Sequence, residues 1–278
     1  MDRFYLLAPA LILAAGMVFA FIVYCGLYAI GRPPQMVGVK HNQLLGPFMA
    51  GFLVWLIGPV ERLLMGRVSP NVITAVSLLM CGITGLAAGL GQLTAACWLY
   101  TAAGILDVLD GRLARIGNKQ TAAGALFDSV SDRWGELFVF AGFAWFLRDT
   151  PWLLAVIGAF GASMMVSYTR ARAEGLGIDL SGGMMQRAER IVLVVGGTFI
   201  AVLYGGDAVA PILGSTMLIC AATATATALN RWIVAFRVLA KREAEPVVVE
   251  QPAAMPLPPV VASLSASDLR KVRPLEQH

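Results

Sequence analysis

Charged residues are scarce in this chain. Asp, Glu, Lys and Arg make up 14% of its 278 residues, against about 25% in an ordinary soluble domain. So few charges cannot cover the apolar surface in water, which argues against a water-soluble fold. Histidine is scarcer still, with only His41 and His278. The four cysteines, Cys25, Cys81, Cys97 and Cys220, lie singly in apolar runs without a CxxC. No zinc site is expected from that set, and the cysteines read as small buried hydrophobes. The net charge of +4 is too small to argue for a nucleic-acid partner.

What is abundant is apolar length. Hydrophobic residues reach 58% and mean hydropathy is +0.73, enough for about seven spans of roughly 20 residues. Residues 5–30 form an uncharged apolar run. It is longer than a signal-peptide core and no small-residue cleavage site follows, so it reads as a retained transmembrane helix. Residues 44–66 are apolar but carry Glu61 and Arg62 and end at Arg67, the pattern of an amphipathic helix at the membrane surface, with a short span as the alternative. Six more spans are predicted over 71–93, 95–115, 121–147, 152–172, 191–204 and 209–236. The tail differs: residues 244–278 hold six of the 14 prolines and no helical apolar period, as disordered segments do. The expectation is an all-α, polytopic integral membrane protein. It has an extra N-terminal transmembrane helix (1–31), a connector with a juxtamembrane amphipathic helix (32–69), a six-helix domain (70–242) and a tail (243–278).

The basic residues are lopsided. Arg32, Lys40, Arg62 and Arg67 precede the six spans. Arg112, Arg115 and Lys119 lie between the second and third, Arg170, Arg172, Arg187 and Arg190 between the fourth and fifth, and Arg237, Lys241 and Arg242 after the sixth. The opposite loops hold one basic residue, Arg148. By the positive-inside rule the basic side faces the cytoplasm of a cell inner membrane, and the extra first helix puts the N-terminus outside.

Four aspartates stand out in this apolar setting. Asp107 and Asp110 are three apart, Asp128 and Asp132 four apart, so each pair shares a helix face. Between them, Ile116–Ala123 contains Gly117 and Asn118, a plausible turn that folds the two helices back along each other. An aspartate at mid-membrane costs about 2.5–3.5 kcal/mol, and like charges held close repel. Divalent cations meet both objections, and an all-oxygen site suits Mg²⁺, Mn²⁺ or Ca²⁺. Gly111 leaves room for a substrate beside such a site, and Arg115, one turn on, suits a phosphate.

DVLDGRLAR followed by GALFDSVSD resembles the signature of the CDP-alcohol phosphatidyltransferase family, D-x2-D-G-x2-A-R-x8-G-x3-D-x3-D, at all eight fixed positions. The resemblance implies a six-helix bundle, a homodimer, a site open to the cytoplasm, and two Mg²⁺ ions (or Mn²⁺) held by Asp107, Asp110, Asp128 and Asp132. It makes Asp132 the general base as well. It places CDP-diacylglycerol against Pro70, Asn71, Val72, Ile73, Gly111, Arg115 and Thr121, the first two matching a Pro-Asn at the head of the family's first helix. The segment Ser167–Glu174 (SYTRARAE), followed by Arg187–Arg190 (RAER), is similar to bacterial phosphatidylinositol-phosphate synthases, with Arg170 where lysine is usual. That implies a phosphorylated polyol acceptor, inositol phosphate first and glycerol 3-phosphate second, with its phosphate held by Ser167, Arg170, Arg190 and Arg231. The residues alone say less: arginines at helix ends favour an anionic acceptor, and Arg231 inside an apolar span reads as functional.

Plainer readings apply elsewhere. Glu136 and Arg133 read as a local charge pair. Trp55, Trp98, Trp145 and Trp152 read as interface-belt residues. Gly51, Gly85, Gly89 and Gly104 read as helix-packing sites. A divalent-cation transporter would place carboxylates between inverted repeats, and the sequence contains no such repeat. A catalytically silent scaffold is hard to square with an intact motif.

Overall fold

The computed structural model describes residues 2–31, 46–180, 183 and 185–244. The expected connector at 32–45 and nearly all of the proline-rich tail lie outside the described residues. The chain divides into Met1–Arg237 and Val238–His278, and the helices belong to the first unit apart from the end of the last one. Every described element is helical. The order is α1 (Asp2–Ala29), α2 (Gly46–Leu64), α3 (Pro70–Gly89), α4 (Leu93–Ile116), α5 (Ala122–Phe146), α6 (Leu153–Glu174), α7 (Arg187–Tyr204), a 3₁₀ turn at Gly206–Ala208, and α8 (Val209–Ala244). The all-α expectation therefore holds. The last helix continues past the expected end near Phe236, through Lys241 and Arg242.

Among the described residues, four helical stretches are long and apolar enough to cross a membrane: Pro70–Gly89, Leu93–Ile116, Leu153–Glu174 and Gly206–Ala244. Helix α5 falls outside that set because it carries Asp128, Asp132, Arg133 and Glu136, and α7 carries Arg187, Glu189 and Arg190. Several of those charges, Asp128, Asp132 and Arg187 among them, belong to the candidate active site. On α3 the outward stripe Val72, Val76, Leu79, Ile83, Leu86 and Leu90 is apolar and well exposed. Such a stripe would be unstable against water and is at home against hydrocarbon.

Small residues set how closely the helices approach. A Cβ added at Gly85 would collide with the Phe138 carbonyl oxygen, and one at Gly142 would collide with the Gly85 oxygen. The α3 and α5 backbones are therefore in direct contact. At Gly104 an added Cβ would sit 3.1 Å from Ile191, which brings α7 against α4. Around these contacts Tyr100, Val139, Phe140, Phe143, Val156, Val194 and Met217 form the main core. A smaller core of Ile73, Leu109 and Leu113, packed with Leu64 and Val68, sits where α2, α3 and α4 meet. Trp145 is exposed on the bundle surface as a belt residue would be. Trp55 is packed in an aromatic group with Tyr24 and Phe52 instead.

Candidate active site

The turn between α4 and α5 sets the geometry. Asn118 adopts φ 49°, a left-handed conformation that asparagine tolerates. Thr121 then caps α5, its hydroxyl accepting from the Gly124 N–H at 3.0 Å. This tight reversal turns the chain back so that α3, rather than α4, is the main neighbour of α5 and packs on both helices, while Asp128 is brought to Asp107 and Asp110 at the turn end. Carboxylate oxygens of these three aspartates lie within 4.8 Å of one another. An all-carboxylate trio at that spacing fits a hard divalent cation.

Beside the trio lies a cavity of about 250 Å³ lined by the head of α3, the end of α4 and the start of α5. Its walls include Pro70, Asn71, Gly111, Arg115 and Thr121, five residues singled out for nucleotide contact, together with Asp110 and Asp128. A Cβ at 111 would come within 3.2 Å of the Arg115 guanidinium, so glycine there lets Arg115 fold against the helix without shifting. The other two expected contacts do not line this cavity. Ile73 is buried in the small core, and Val72 lies on the exposed apolar stripe. Successive residues of a helix point about 100° apart, so Asn71 and Thr74 reach the cavity while 72 and 73 turn away.

Two residues near the aspartates were not anticipated. Thr74 lines the cavity and its hydroxyl lies 2.6 Å from Asp110 Oδ2. Its sequence signal was its place one turn after Pro70. Arg187 at the start of α7 is ion-paired with both Asp107 and Asp132. Asp132 is thus engaged by Arg187 and lies outside the three-carboxylate trio; it also meets Arg133 at 3.5 Å.

The expected acceptor residues are arranged differently from a single phosphate cradle. Arg190 is only 2% exposed. Its guanidinium is ion-paired with Glu136 and donates to the Met185 carbonyl at 3.3 Å. Glu136 is therefore the partner of Arg190 on α7, which corrects the local pairing with Arg133. Arg231 is also buried and donates to the Val166 carbonyl at 2.8 Å. Arg170 pairs with Glu174 one turn away at 2.8 Å. Ser167 donates to the Ser163 carbonyl at 3.3 Å and borders a groove between α5 and α6 with Arg133 and Trp134. Arg170 and Arg190 nevertheless lie within electrostatic reach of Arg231, so positive charge is concentrated among α6, α7 and α8.

A family model described as CDP-alcohol phosphatidyltransferase matches residues 67–228. Among individual proteins, the chain is similar to archaetidylinositol phosphate synthase of Methanothermobacter thermautotrophicus, 39% identical over 108 residues, covering 39% of this chain and 54% of that protein. It is also similar to phosphatidylinositol phosphate synthase of Mycobacteroides abscessus, 33% identical over 140 residues, covering 49% of this chain and 61% of the relative. Of those two relatives the match thus spans less than two thirds of the length. Among solved structures, it resembles Mycobacterium tuberculosis phosphatidylinositol phosphate synthase with CDP-DAG bound, at 27% identity and a TM-score of 0.58, over 66% of this chain and 94% of that one. The same enzyme in complex with manganese and citrate gives a TM-score of 0.57, over 64% and 88%.

Proposed function

Because this chain belongs to the CDP-alcohol phosphatidyltransferase family, we propose that it transfers the phosphatidyl group of CDP-diacylglycerol to a hydroxyl of a phosphorylated polyol, inositol phosphate by preference, with release of CMP. The observation that carries the reading is the meeting of Asp107, Asp110 and Asp128 beside a cavity walled by Gly111 and Arg115. Relatives named for inositol phosphate acceptors support the choice of acceptor, and a relative solved with CDP-DAG supports the donor.

In this reading Asp107, Asp110 and Asp128 would hold a divalent cation, Mg²⁺ or Mn²⁺, and Asp132 would help to hold a second. Such ions would supply positive charge against the pyrophosphate of the donor and the departing CMP. Arg115 binds a phosphate of the donor at the cavity wall, and Pro70, Asn71 and Thr121 border the nucleotide. Thr74 fixes the orientation of Asp110 by its hydrogen bond. Arg187 fixes that of Asp132. Asp132 accepts the proton of the acceptor hydroxyl as its oxygen attacks the phosphorus bearing the diacylglycerol. A new P–O bond forms, the anhydride P–O bond breaks, and CMP leaves. Ser167, Arg170 and Arg231 attract the acceptor phosphate, and Arg190 joins them only by releasing Glu136.

The same proposal sets α3–α8 as a six-helix catalytic bundle in an inner membrane with its site open to the cytoplasm, α1 as an added span, and two copies as a dimer. The skew of arginine and lysine supports the orientation. Labelling of Lys119→Cys from outside intact cells would reverse it. The activity is tested by incubating membranes with CDP-diacylglycerol and inositol phosphate, glycerol 3-phosphate, free inositol or serine at equal concentration. CMP release should be fastest with inositol phosphate. Faster release with serine or free inositol would refute the anionic acceptor, and no release with any of them would refute the transferase reading.

A further inference from the structure

Helix α2 ends before the matched region begins at residue 67, yet it reaches the motif. Glu61 is 7% exposed and Arg112 4% exposed, and Arg112 Nε lies 2.6 Å from Glu61 Oε2. Arg112 occupies a variable position of the motif. It follows Asp110 and Gly111 directly and comes three residues before Arg115, so one turn of α4 carries both this ion pair and the wall of the cavity. Around the pair, Leu64 and Val68 pack on Leu109 and Leu113 of the same α4 segment and on Ile73 of α3. The far part of α2 is itself held. Tyr24 of α1 is fully buried, its hydroxyl donates to the Phe48 carbonyl at 3.3 Å, and Phe21 meets Phe52 edge-on at 5.1 Å.

A buried charge pair constrains position more sharply than apolar packing does. Apolar contacts tolerate sliding, whereas a buried carboxylate that loses its guanidinium is left without compensation. We propose that Glu61 is a positioning residue: through Arg112 it fixes the turn of α4 that presents Asp110, Gly111 and Arg115 to the metal and the nucleotide. The inference rests on the proposed reaction for its kinetic readout, and on ion binding for a readout independent of it. Helices α1 and α2, which precede the matched region, then act as a brace on the motif helix.

The test uses the full chain purified in detergent, as Glu61→Gln, Arg112→Met and the double variant. Mn²⁺ binding is followed by the signal of the free ion, alongside steady-state CMP release and thermal stability. Displacement of reacting groups by about 1 Å is worth up to a hundredfold in rate. Glu61→Gln should therefore lose roughly tenfold to a hundredfold in kcat/KM for CDP-diacylglycerol, weaken Mn²⁺ binding and leave the acceptor KM unchanged. The double variant should lose no more than the worse single one, because both act through one contact. The inference is overturned if Mn²⁺ affinity and kcat/KM per folded molecule stay within twofold of the parent. Losses that multiply in the double variant, or an acceptor KM that rises in step, would overturn it too. If the parent releases no CMP, the proposed reaction fails, and Mn²⁺ affinity across the same variants still decides this inference.

Discussion

The two charged regions of this protein are built in opposite ways. The acidic region on α4 and α5 gathers carboxylates beside an open cavity, and three of them have carboxylate oxygens within 4.8 Å of one another. The basic region on α6, α7 and α8 engages its arginines with protein partners: Arg190 with Glu136, Arg170 with Glu174 and Arg231 with the Val166 carbonyl. Concentrated like charge calls for a ligand, whereas charge answered by neighbours can be structural. Arg187 joins the regions, a cation from the basic side paired with Asp107 and Asp132.

The acidic side should give the largest effects. Asp132→Asn is expected to cut CMP release by about 10²–10⁴-fold, the range of a lost general base, while Mn²⁺ still binds. Asp110→Asn or Asp128→Asn should abolish both. Retention of normal turnover by Asp132→Asn would break the contrast at its stronger end.

Arg190→Ala comes next, and its effect should be on folding. Removing one member of a buried pair costs about 3–5 kcal/mol, so the melting temperature should fall well below that of the parent. An apolar replacement of both partners, Glu136→Leu with Arg190→Met, should recover much of it. If Arg190→Ala melts like the parent and only the acceptor KM rises, Arg190 belongs to the acceptor and the basic region is less self-contained than its contacts suggest.

Arg170 should behave in the opposite sense. Its pair with Glu174 is partly exposed and spaced i,i+4, worth about 0.3–0.5 kcal/mol to stability. A charge-assisted bond to an acceptor phosphate is worth about 1.5–3 kcal/mol. Arg170→Ala should thus raise the acceptor KM by roughly tenfold or more with little change in melting. An unchanged KM would remove Arg170 from the acceptor site. The smallest effect is expected from ending the chain after Ala244. That stretch is proline-rich, has no helical apolar period and supplies none of the candidate site residues, so CMP release should stay within a few-fold of the full chain.

Legibility in the sequence divides between local pattern and distant contact. Helices α3 to α8 announced themselves through apolar length. The Asp107–Asp110 and Asp128–Asp132 pairs did so through spacing, because i,i+3 and i,i+4 positions share a helix face wherever the helix lies. The turn at Gly117 and Asn118 reverses the chain and brings the aspartate pairs near each other, but α4 and α5 each pack on α3 rather than along one another, which the spacing did not show. Contacts between distant helices had no such signal. Arg187 lies 80 residues from Asp107, Glu136 lies 54 from Arg190, and Glu61 lies 51 from Arg112. Each depends on helix rotation and register, which composition does not fix. Val72 and Ile73 follow Pro70 and Asn71 in sequence yet lie off the cavity wall, because a helix distributes contiguous residues around its whole circumference.

The contact between Gly85 and Gly142 makes α5 a lever with its pivot at one end. Asp128 lies 14 residues from Gly142, about 21 Å along the helix axis. With the two backbones touching there, a tilt of only ~5° forced by an added methyl would swing the far end by ~2 Å over that length. That displacement is comparable to the tolerance of ion coordination. The reach of Asp128 and Asp132 therefore depends on the missing methyl group of Gly142 at the opposite end of α5 and on that of Gly85, which faces it from α3.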